Sequence, residues 1–224
     1  MTFSVTGRCA RTGAFGIAIT TSSIAVASRC VWGRAGVGAV ATQNITNPLI
    51  GTWGLDFMAQ GKSAKDALDA ALAREKFPDF RQVAMIGKSG PPAFYEGKGT
   101  LATHCGHAAK DSVAIGNLLA NTDIAKAMTG GFEANPELQL GERLLRGLEA
   151  GLAAGGEMSP VKSAGLFIVT EHAWPICDLR VDWADGPIGE LRRNWNAFEP
   201  QMMMYVTRAI NPPAAKSYGV AGDP

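Results

Sequence analysis

The sequence predicts an α+β protein folded as a four-layer αββα sandwich, in which two antiparallel sheets are flanked by helices. Two observations predict this fold. Segments with strand patterns occur in blocks, which favours antiparallel pairing over alternating βαβ units. Several of these segments are apolar on both faces, as expected for strands buried between a second sheet and a helix layer. A two-layer α+β fold is the alternative.

The first block comprises four extended segments, at residues 2–9, 14–21, 24–32 and 36–42. In the first segment Phe3 and Val5 share one face, whereas Ser4 and Thr6 share the other. Two helices are predicted next, one from Asn47-Pro48 to Gly61 and one that begins at Ser63 with a capping-box pattern.

The pattern then repeats, with strands predicted at residues 82–86, 93–95, 101–105 and 112–118 and two helices after them. The second of these helices begins near Pro136 and is stopped by Gly155-Gly156. A hairpin of residues 164–170 and 174–183 precedes a last helix from about Ile188, which we expect Pro200 to kink. We therefore predict one αββα domain over residues 1–210.

Residues 211–224 form a tail rich in Pro, Gly and Ala. Such a tail is either a loose end or an arm that reaches a neighbouring subunit. Together with the apolar helix faces it suggests a homo-oligomer, although a monomer's core needs the same faces.

Composition argues against several classes of partner. A formal net charge of +1 supplies no electrostatic footprint for nucleic acid or an acidic membrane, so we expect neither as a partner. No segment of about 18 consecutive apolar residues is present, which predicts no membrane span. The four cysteines lie far apart without a C-x-x-C pair, as is typical of reduced thiols in a cytoplasmic protein. We expect no cofactor.

A secretory signal peptide is the alternative for the first thirty residues. Arg8 and Arg11 precede a mildly apolar stretch, and Ala25-Val26-Ala27 resembles a cleavage site. Gly16 and the polar residues 20–23 interrupt the apolar stretch, and we therefore favour a cytoplasmic protein.

Thr2 is the residue that points most directly to chemistry. Removal of Met1 would leave Thr2 as the free N-terminus of a strand, and threonine is small enough for such removal. A terminal Thr carries a hydroxyl nucleophile and an α-amine with a reference pKa of about 7.7–8.0, so one residue supplies both nucleophile and base. A β-branched strand residue beside an ordinary start codon is the alternative reading.

Four separated segments resemble the domain of unknown function 1028 family, which is placed within the N-terminal nucleophile (Ntn) hydrolase superfamily. They are Thr2-Phe3-Ser4-Val5, residues 34–43 (RAGVGAVATQ), Gly116-Asn117-Leu118-Leu119 and residues 178–183 (DLRVDW). The resemblance extends to about Trp195. It implies the αββα fold and hydrolysis of an amide by the terminal Thr, without assigning a substrate.

The resemblance makes Thr2 the candidate nucleophile. The side chains of Asn117 and Gln43, or nearby backbone amides, would then stabilise the oxyanion. Arg34 would lower the pKa of the α-amine or bind a substrate carboxylate, and Ser22 would polarise the surroundings of the nucleophile. The alternatives are a turn or cap role for Asn117, a surface position for Arg34 and a turn position for Ser22.

Two further groups of polar residues stand out. His104-Cys105-Gly106-His107 suggests thiol or metal chemistry, but His104 and Cys105 would point to opposite faces of a strand. We therefore predict no metal and interpret His107 as a substrate-binding or locally hydrogen-bonded residue. Asp178, Arg180 and Asp182 share one strand face, and we expect them to form a structural network with Arg192 or Arg193.

Three functions follow from these residues. The leading prediction is an Ntn-type amidohydrolase that cleaves a small linear or cyclic amide through Thr2. The alternative is a non-catalytic small-molecule-binding protein of the same fold that retains Met1. The third is thiol or metal chemistry at residues 104–107.

Overall fold

The computed structural model describes residues 1–217 and 219 and contains ten strands and six α-helices. The strands are β1 (Thr2–Arg8), β2 (Phe15–Thr21), β3 (Val31–Arg34), β4 (Gly38–Asn44), β5 (Arg81–Gly87), β6 (Ala93–Glu96), β7 (Cys105–Ala108), β8 (Ser112–Asn117), β9 (Ser163–Val169) and β10 (Cys177–Val181). The helices are α1 (Ala27–Cys30), α2 (Leu49–Ala59), α3 (Ala64–Leu72), α4 (Ile124–Glu133), α5 (Leu140–Ala153) and α6 (Pro187–Ile210).

The strands form two antiparallel sheets. The six strands of sheet A lie in the order β10-β9-β2-β1-β8-β7, and the four of sheet B lie in the order β3-β4-β5-β6. Strand β1 is central in sheet A, because β2 and β8 pair with it along nearly its whole length. The N-terminal end of the chain is therefore held between two strands.

Four layers result from the way these sheets bury their faces. Apolar residues of both sheets meet in a core between them, with Ile17, Ile19 and Ile115 from sheet A against Ala39 and Ile86 from sheet B. Helices α4, α5 and α6 cover the outer face of sheet A, and α2 and α3 cover that of sheet B. The predicted αββα sandwich is confirmed.

Strand β1 explains how a polar site is buried in this sandwich. Its odd-numbered residues Phe3 and Val5 pack under the helices, so the side chains of Thr2, Ser4 and Thr6 point between the sheets. All three are buried. Because buried polar groups need partners, this face concentrates hydrogen bonds at the start of the strand.

Two strand predictions are wrong in their bounds. Residues 24–32 form a bend, the short helix α1 and the start of β3, because Ala25 has a positive φ of 52° and the chain crosses there between the sheets. Residues 101–104 are a loop rather than a strand, because Ala102 has a φ of 47° and residues 101 and 103 hydrogen-bond to the turn after β8.

The interpretation of the charged strand also needs correction. Arg180 donates two hydrogen bonds of 2.8 Å to Asp178 on its own strand, whereas Arg192 pairs with Glu142 and Glu149 of α5. Strand β10 is an edge strand of sheet A, so its charged face is partly exposed to solvent. Asp178 and Arg180 pair with each other there and need no partner from α6.

The C-terminal part follows the prediction in outline. Strands β9 and β10 form the expected antiparallel hairpin, and α6 continues through Pro200 to Ile210. Of the predicted tail, residues 218 and 220–224 lie outside the described residues. Within the described part of the chain, no helix is long and apolar enough to cross a membrane.

Candidate active site around Thr2

Thr2 opens the central strand of sheet A at one end of the space between the sheets. It pairs with Thr21 of β2 on one side and with Asn117 of β8 on the other. Only 7% of its surface is exposed. The two neighbouring strands thus fix the backbone that carries the candidate nucleophile.

Two hydroxyl groups hold the carbonyl that precedes Thr2. Thr2 Oγ1 donates a hydrogen bond of 2.6 Å to the carbonyl oxygen of Met1, and Thr21 Oγ1 contacts the same oxygen. The two hydroxyl oxygens are 3.1 Å apart. Both hydroxyl groups therefore contact the backbone carbonyl oxygen of Met1, whose carbon is bonded to the Thr2 nitrogen.

A chain of polar groups leads from Thr21 to a cation. Thr21 Oγ1 lies 3.3 Å from Ser23 Oγ, which accepts a hydrogen bond of 2.7 Å from Arg29 Nη2. Arg29 also donates to the carbonyl oxygens of Ile24 and Ala25, which fixes the loop after β2. The site therefore has a guanidinium two hydroxyl groups away from Thr2 Oγ1.

Three amide side chains lie behind the nucleophile. Gln82 Oε1 accepts hydrogen bonds from Gln43 Nε2 at 2.8 Å and from Asn117 Nδ2 at 2.9 Å. Gln43 also donates to the carbonyl oxygen of Thr2 at 3.3 Å and accepts from Ser4 Oγ at 2.8 Å. The three amide side chains and that of Ser4 are fully buried, so this hydrogen-bond network links both sheets directly beneath Thr2.

This network bears on the predicted oxyanion donors. The structure brings Gln43 and Asn117 to Thr2 as expected, but their amide N–H groups are directed at Gln82 and at the Thr2 backbone. Asn117 Oδ1 is buried and has no partner among the described residues. In this arrangement the two side chains position the start of β1.

Glu157 is an acidic residue beside the strand that carries Thr21. It follows the glycines after α5 and is bridged to Leu119, and its Oε2 accepts a hydrogen bond of 3.2 Å from the backbone N–H of Ser22. Burial raises the pKa of the Glu157 carboxyl to about 7, and the nearby α-ammonium of Met1 acts in the opposite direction. Such a carboxyl titrates near neutral pH.

The structure separates the other predicted site residues. Ser22 lies at the site, but it acts through its backbone N–H. Arg34 pairs with Gly38, five residues along β4 from Gln43, which is roughly 17 Å at the rise of a strand. It forms an exposed ion pair with Asp56. The structure therefore does not bring Arg34 to Thr2.

Residues 104–107 also lie away from the nucleophile. His107 Nδ1 is 2.8 Å from Thr129 Oγ1 of α4, and Cys105 packs against the same helix layer, so both face away from the space between the sheets. Burial raises the pKa of the Cys105 thiol. Within residues 1–217 and 219, no three His, Cys, Asp or Glu side chains are grouped to hold a metal ion.

Two cavities lie near opposite ends of strand β1. A cavity of about 380 Å³ is lined by Glu157, Asp185 and Ile188 among other residues. A larger one of about 770 Å³ lies at the far end of β1, beside Cys9, Arg11 and His172. We place the candidate site by its chemistry, because the larger cavity contacts none of the residues around Thr2.

Sequence reasoning missed four residues of the site: Thr21, Arg29, Gln82 and Glu157. Thr21 ends a strand predicted to neighbour β1, so antiparallel pairing across the short turn could have placed it opposite Thr2. Gln82 begins a predicted strand, where a polar side chain beside apolar neighbours is the signal that could have found it. Glu157 and Arg29 lie in connections, whose positions only the three-dimensional structure supplies.

Comparison with known proteins agrees with the fold. The family model described as "Family of unknown function (DUF1028)" matches residues 2–191. The crystal structure of protein SPO2555 from Silicibacter pomeroyi, which carries the same family model, is 27% identical over 88% of this chain and 85% of its own, with a TM-score of 0.81. No curated protein matches significantly.

More distant structures also align. Anbu, the ancestral beta-subunit from Yersinia bercovieri, is 12% identical over 91% of this chain and 97% of its own, with a TM-score of 0.41. An Anbu (Gly-1) mutant from Hyphomicrobium sp. strain MC1 is 16% identical over 91% and 96%, with a TM-score of 0.44. Likeness at this level supports no conclusion about the chemistry of this chain.

Proposed function

The chain belongs to the DUF1028 family, and we propose that it is an Ntn-type amidohydrolase in which Thr2, exposed by removal of Met1, cleaves a small linear or cyclic amide. One observation carries this proposal. The Thr2 hydroxyl lies 2.6 Å from an acyl oxygen that Thr21 Oγ1 also contacts. Once Met1 is removed, Thr21 Oγ1 lies 3.1 Å from Thr2 Oγ1 and is free to donate to the carbonyl oxygen of an amide that Thr2 Oγ1 attacks.

The reaction needs no other nucleophile or base. The free α-amine of Thr2 takes the proton from Oγ1 as Oγ1 bonds to the amide carbon, and it passes this proton to the leaving amine as the C–N bond breaks. Water then hydrolyses the Thr2 ester, which releases the acid and restores the hydroxyl. Thr21 Oγ1 is placed to donate to the oxyanion in both steps.

The amide side chains behind Thr2 act by positioning. Gln43 holds the Thr2 carbonyl oxygen, and Gln82 holds Gln43 and Asn117 together. Because a nucleophile misplaced by about 1 Å can lose much of its rate, this buried support belongs to the proposed machinery. Arg34 and His107 lie away from Thr2, and we give them no step in the reaction.

The test is hydrolysis of a panel of small linear and cyclic amides by residues 2–224, prepared with a free Thr2 from a cleavable N-terminal tag. We expect Thr2→Ala to abolish amine release and Thr2→Ser to retain part of it. Thr6→Ala is a matched control, since Thr6 lies on the same strand face and its buried Oγ1 has no partner among the described residues. Full activity in Thr2→Ala would contradict the proposal.

A second candidate function applies if Met1 stays in place. The Met1 carbonyl then keeps both hydroxyl groups occupied, and the Thr2 nitrogen is an amide that cannot act as a base. The chain would be a non-catalytic small-molecule-binding protein. Intact mass of untagged protein from its native host distinguishes the two, because loss of one methionine favours the hydrolase.

We also infer that the chain forms a homo-oligomer through α6. Met203 and Ile210 lie seven residues apart on one face of its last turns, and both are exposed apolar side chains that a monomer would leave in water. Sedimentation velocity tests this: we expect a species heavier than 23.5 kDa, and a single 23.5 kDa species would contradict it.

A further inference from the structure

The cavity of about 380 Å³ beside Glu157 has a mainly apolar wall. Its apolar side chains are those of Leu152, Met158, Pro160, Val161, Pro187 and Ile188. Its charged side chains are the carboxylates of Glu157 and Asp185. A cavity of this volume, with an apolar wall and few polar groups, is typical of sites that bind small molecules.

One hydrogen bond connects this cavity to the strand that carries Thr21. Oε2 of Glu157 accepts a hydrogen bond of 3.2 Å from the backbone N–H of Ser22. Ser22 directly follows Thr21, whose Oγ1 lies 3.1 Å from Thr2 Oγ1. The Glu157 side chain therefore lines the cavity and contacts the residue next to Thr21.

A second set of contacts connects the cavity to the other neighbour of Thr2. The N–H of Leu118 donates to the carbonyl oxygen of Leu101 at 3.1 Å, and the N–H of Met158 donates to the carbonyl oxygen of Leu118 at 3.1 Å. Leu118 directly follows Asn117, which pairs with Thr2 across the sheet. The Met158 side chain therefore lines the cavity, and its backbone is bonded beside the strand partner of Thr2.

The apolar side chains at this end of the molecule are unusually exposed. Met158 is 66% exposed, Leu152 is 45% exposed and Leu101 is 42% exposed. Leu152 and Met158 belong to the cavity wall, and Leu101 lies on the opposite side of Leu118 from Met158. Exposed apolar side chains grouped beside a reactive residue are typical of a surface that binds a ligand.

We propose that this cavity binds an apolar group of the substrate, so that the amides cleaved at Thr2 carry an apolar chain or ring on their acyl or amine side. This inference rests on the proposed hydrolysis by Thr2 and names its substrate class. The cavity takes no part in making or breaking bonds. It contributes binding free energy because the apolar group leaves water when it enters.

The charges of the cavity favour an apolar occupant over an ionic one. No Lys, Arg or His is found among the described residues that line it, so an anionic group would meet carboxylates without a cationic side chain. Asp185 is already paired with Lys162. Burial raises the pKa of the Glu157 carboxyl to about 7, so this group is a weak partner for a cation at or below neutral pH.

The test measures binding without catalysis. Residues 2–224 with Thr2→Ala are titrated, by ligand-observed NMR, with acetamide, hexanamide, N-hexylacetamide and ε-aminocaproamide. We expect hexanamide or N-hexylacetamide to bind at least about tenfold more tightly than acetamide, because each additional CH₂ that is buried contributes about fourfold in affinity. The chain of ε-aminocaproamide has the same length as that of hexanamide but ends in an ammonium, so this amide should lose the gain.

A substitution in the wall tests where the apolar chain binds. Met158→Asn places a polar side chain in the wall and should remove most of the gain, whereas Met203→Asn, at an equally exposed methionine outside this cavity, should keep it. Circular dichroism shows whether each variant is folded. The comparison of the four amides stands even if Met158→Asn fails to fold.

Three results would overturn the inference: no gain for either hexyl amide over acetamide, tighter binding of ε-aminocaproamide than of hexanamide, or a gain that survives Met158→Asn. If no amide binds and Met158→Asn dissociates an oligomer in sedimentation velocity, a second copy of the chain covers this surface and the inference is wrong.

Failure of this inference is distinguishable from failure of the proposed reaction. Binding of a hexyl amide that depends on Met158, without release of amine by the chain with a free Thr2, would contradict the hydrolysis alone. Release of amine with equal kcat/KM from acetamide, hexanamide and N-hexylacetamide would contradict the apolar substrate class alone.

Discussion

The ionisation of Glu157 makes the stability of the folded chain depend on pH in a direction that can be calculated. Its pKa is raised from 4.5 to about 7 in the folded state, mainly by burial. Between these values the unfolded state loses its proton while the folded state keeps it. The contribution of Glu157 to stability is therefore greatest below pH 4.5 and falls as pH rises towards 7, by on the order of 3 kcal/mol.

Replacing this carboxyl with an amide removes the dependence. Glu157→Gln keeps the size of the side chain but cannot ionise. Between pH 4.5 and 7.5 the free energy of unfolding of the unmodified chain should therefore fall by about 3 kcal/mol relative to that of the variant. The measurement is urea unfolding followed by circular dichroism at several pH values, on protein whose intact mass shows Met1 in place.

Glu137→Gln serves as the control, since Glu137 is exposed and its replacement should leave the pH profile unchanged. Parallel profiles for the unmodified chain and Glu157→Gln would refute the reasoning, because they would show that Glu157 ionises normally in the folded protein.

Three further predictions follow from the same contacts. Thr21→Val should lower kcat/KM for any substrate at least about tenfold, since it removes the hydroxyl beside Thr2 Oγ1 and the acyl oxygen; an unchanged kcat/KM would contradict its role. Gln82→Leu should destabilise the fold by more than about 2 kcal/mol in urea unfolding, because it leaves the buried amide donors of Gln43 and Asn117 without their acceptor; a smaller loss would mean that they find other partners. Cys177 should resist alkylation by iodoacetamide at pH 8 in the folded state, since burial raises its pKa to about 12; rapid labelling mapped to Cys177 by mass spectrometry would contradict this.

The layered fold could be predicted from the sequence because it depends on repeated local patterns. Alternation in residues 2–8 and the block order of the strands are enough to predict two antiparallel sheets. The errors fall where non-glycine residues adopt positive φ, at Ala25 and Ala102, since nothing in the local composition signals such a turn.

The residues of the site could be predicted from the sequence only in part, for a related reason. Thr2, Gln43 and Asn117 were identified from the chain terminus and from resemblance, and the structure brings them together. Arg34 was predicted as a site residue because it begins the resembling segment of residues 34–43, but the extended β4 separates it from Gln43 at the other end of that segment. Arg29 reaches Thr21 only through Ser23, across a loop whose path no periodicity reveals.

The central claim is that Thr2, once it is the N-terminus, is the nucleophile. The most direct measurement is intact-mass and tandem mass spectrometry of residues 2–224 after incubation with a β-lactone, which a terminal Thr opens to form an ester. We predict one adduct per chain, on Thr2, that is absent from Thr2→Ala and from chain that retains Met1. No adduct, or an adduct of equal yield in Thr2→Ala, would contradict the account.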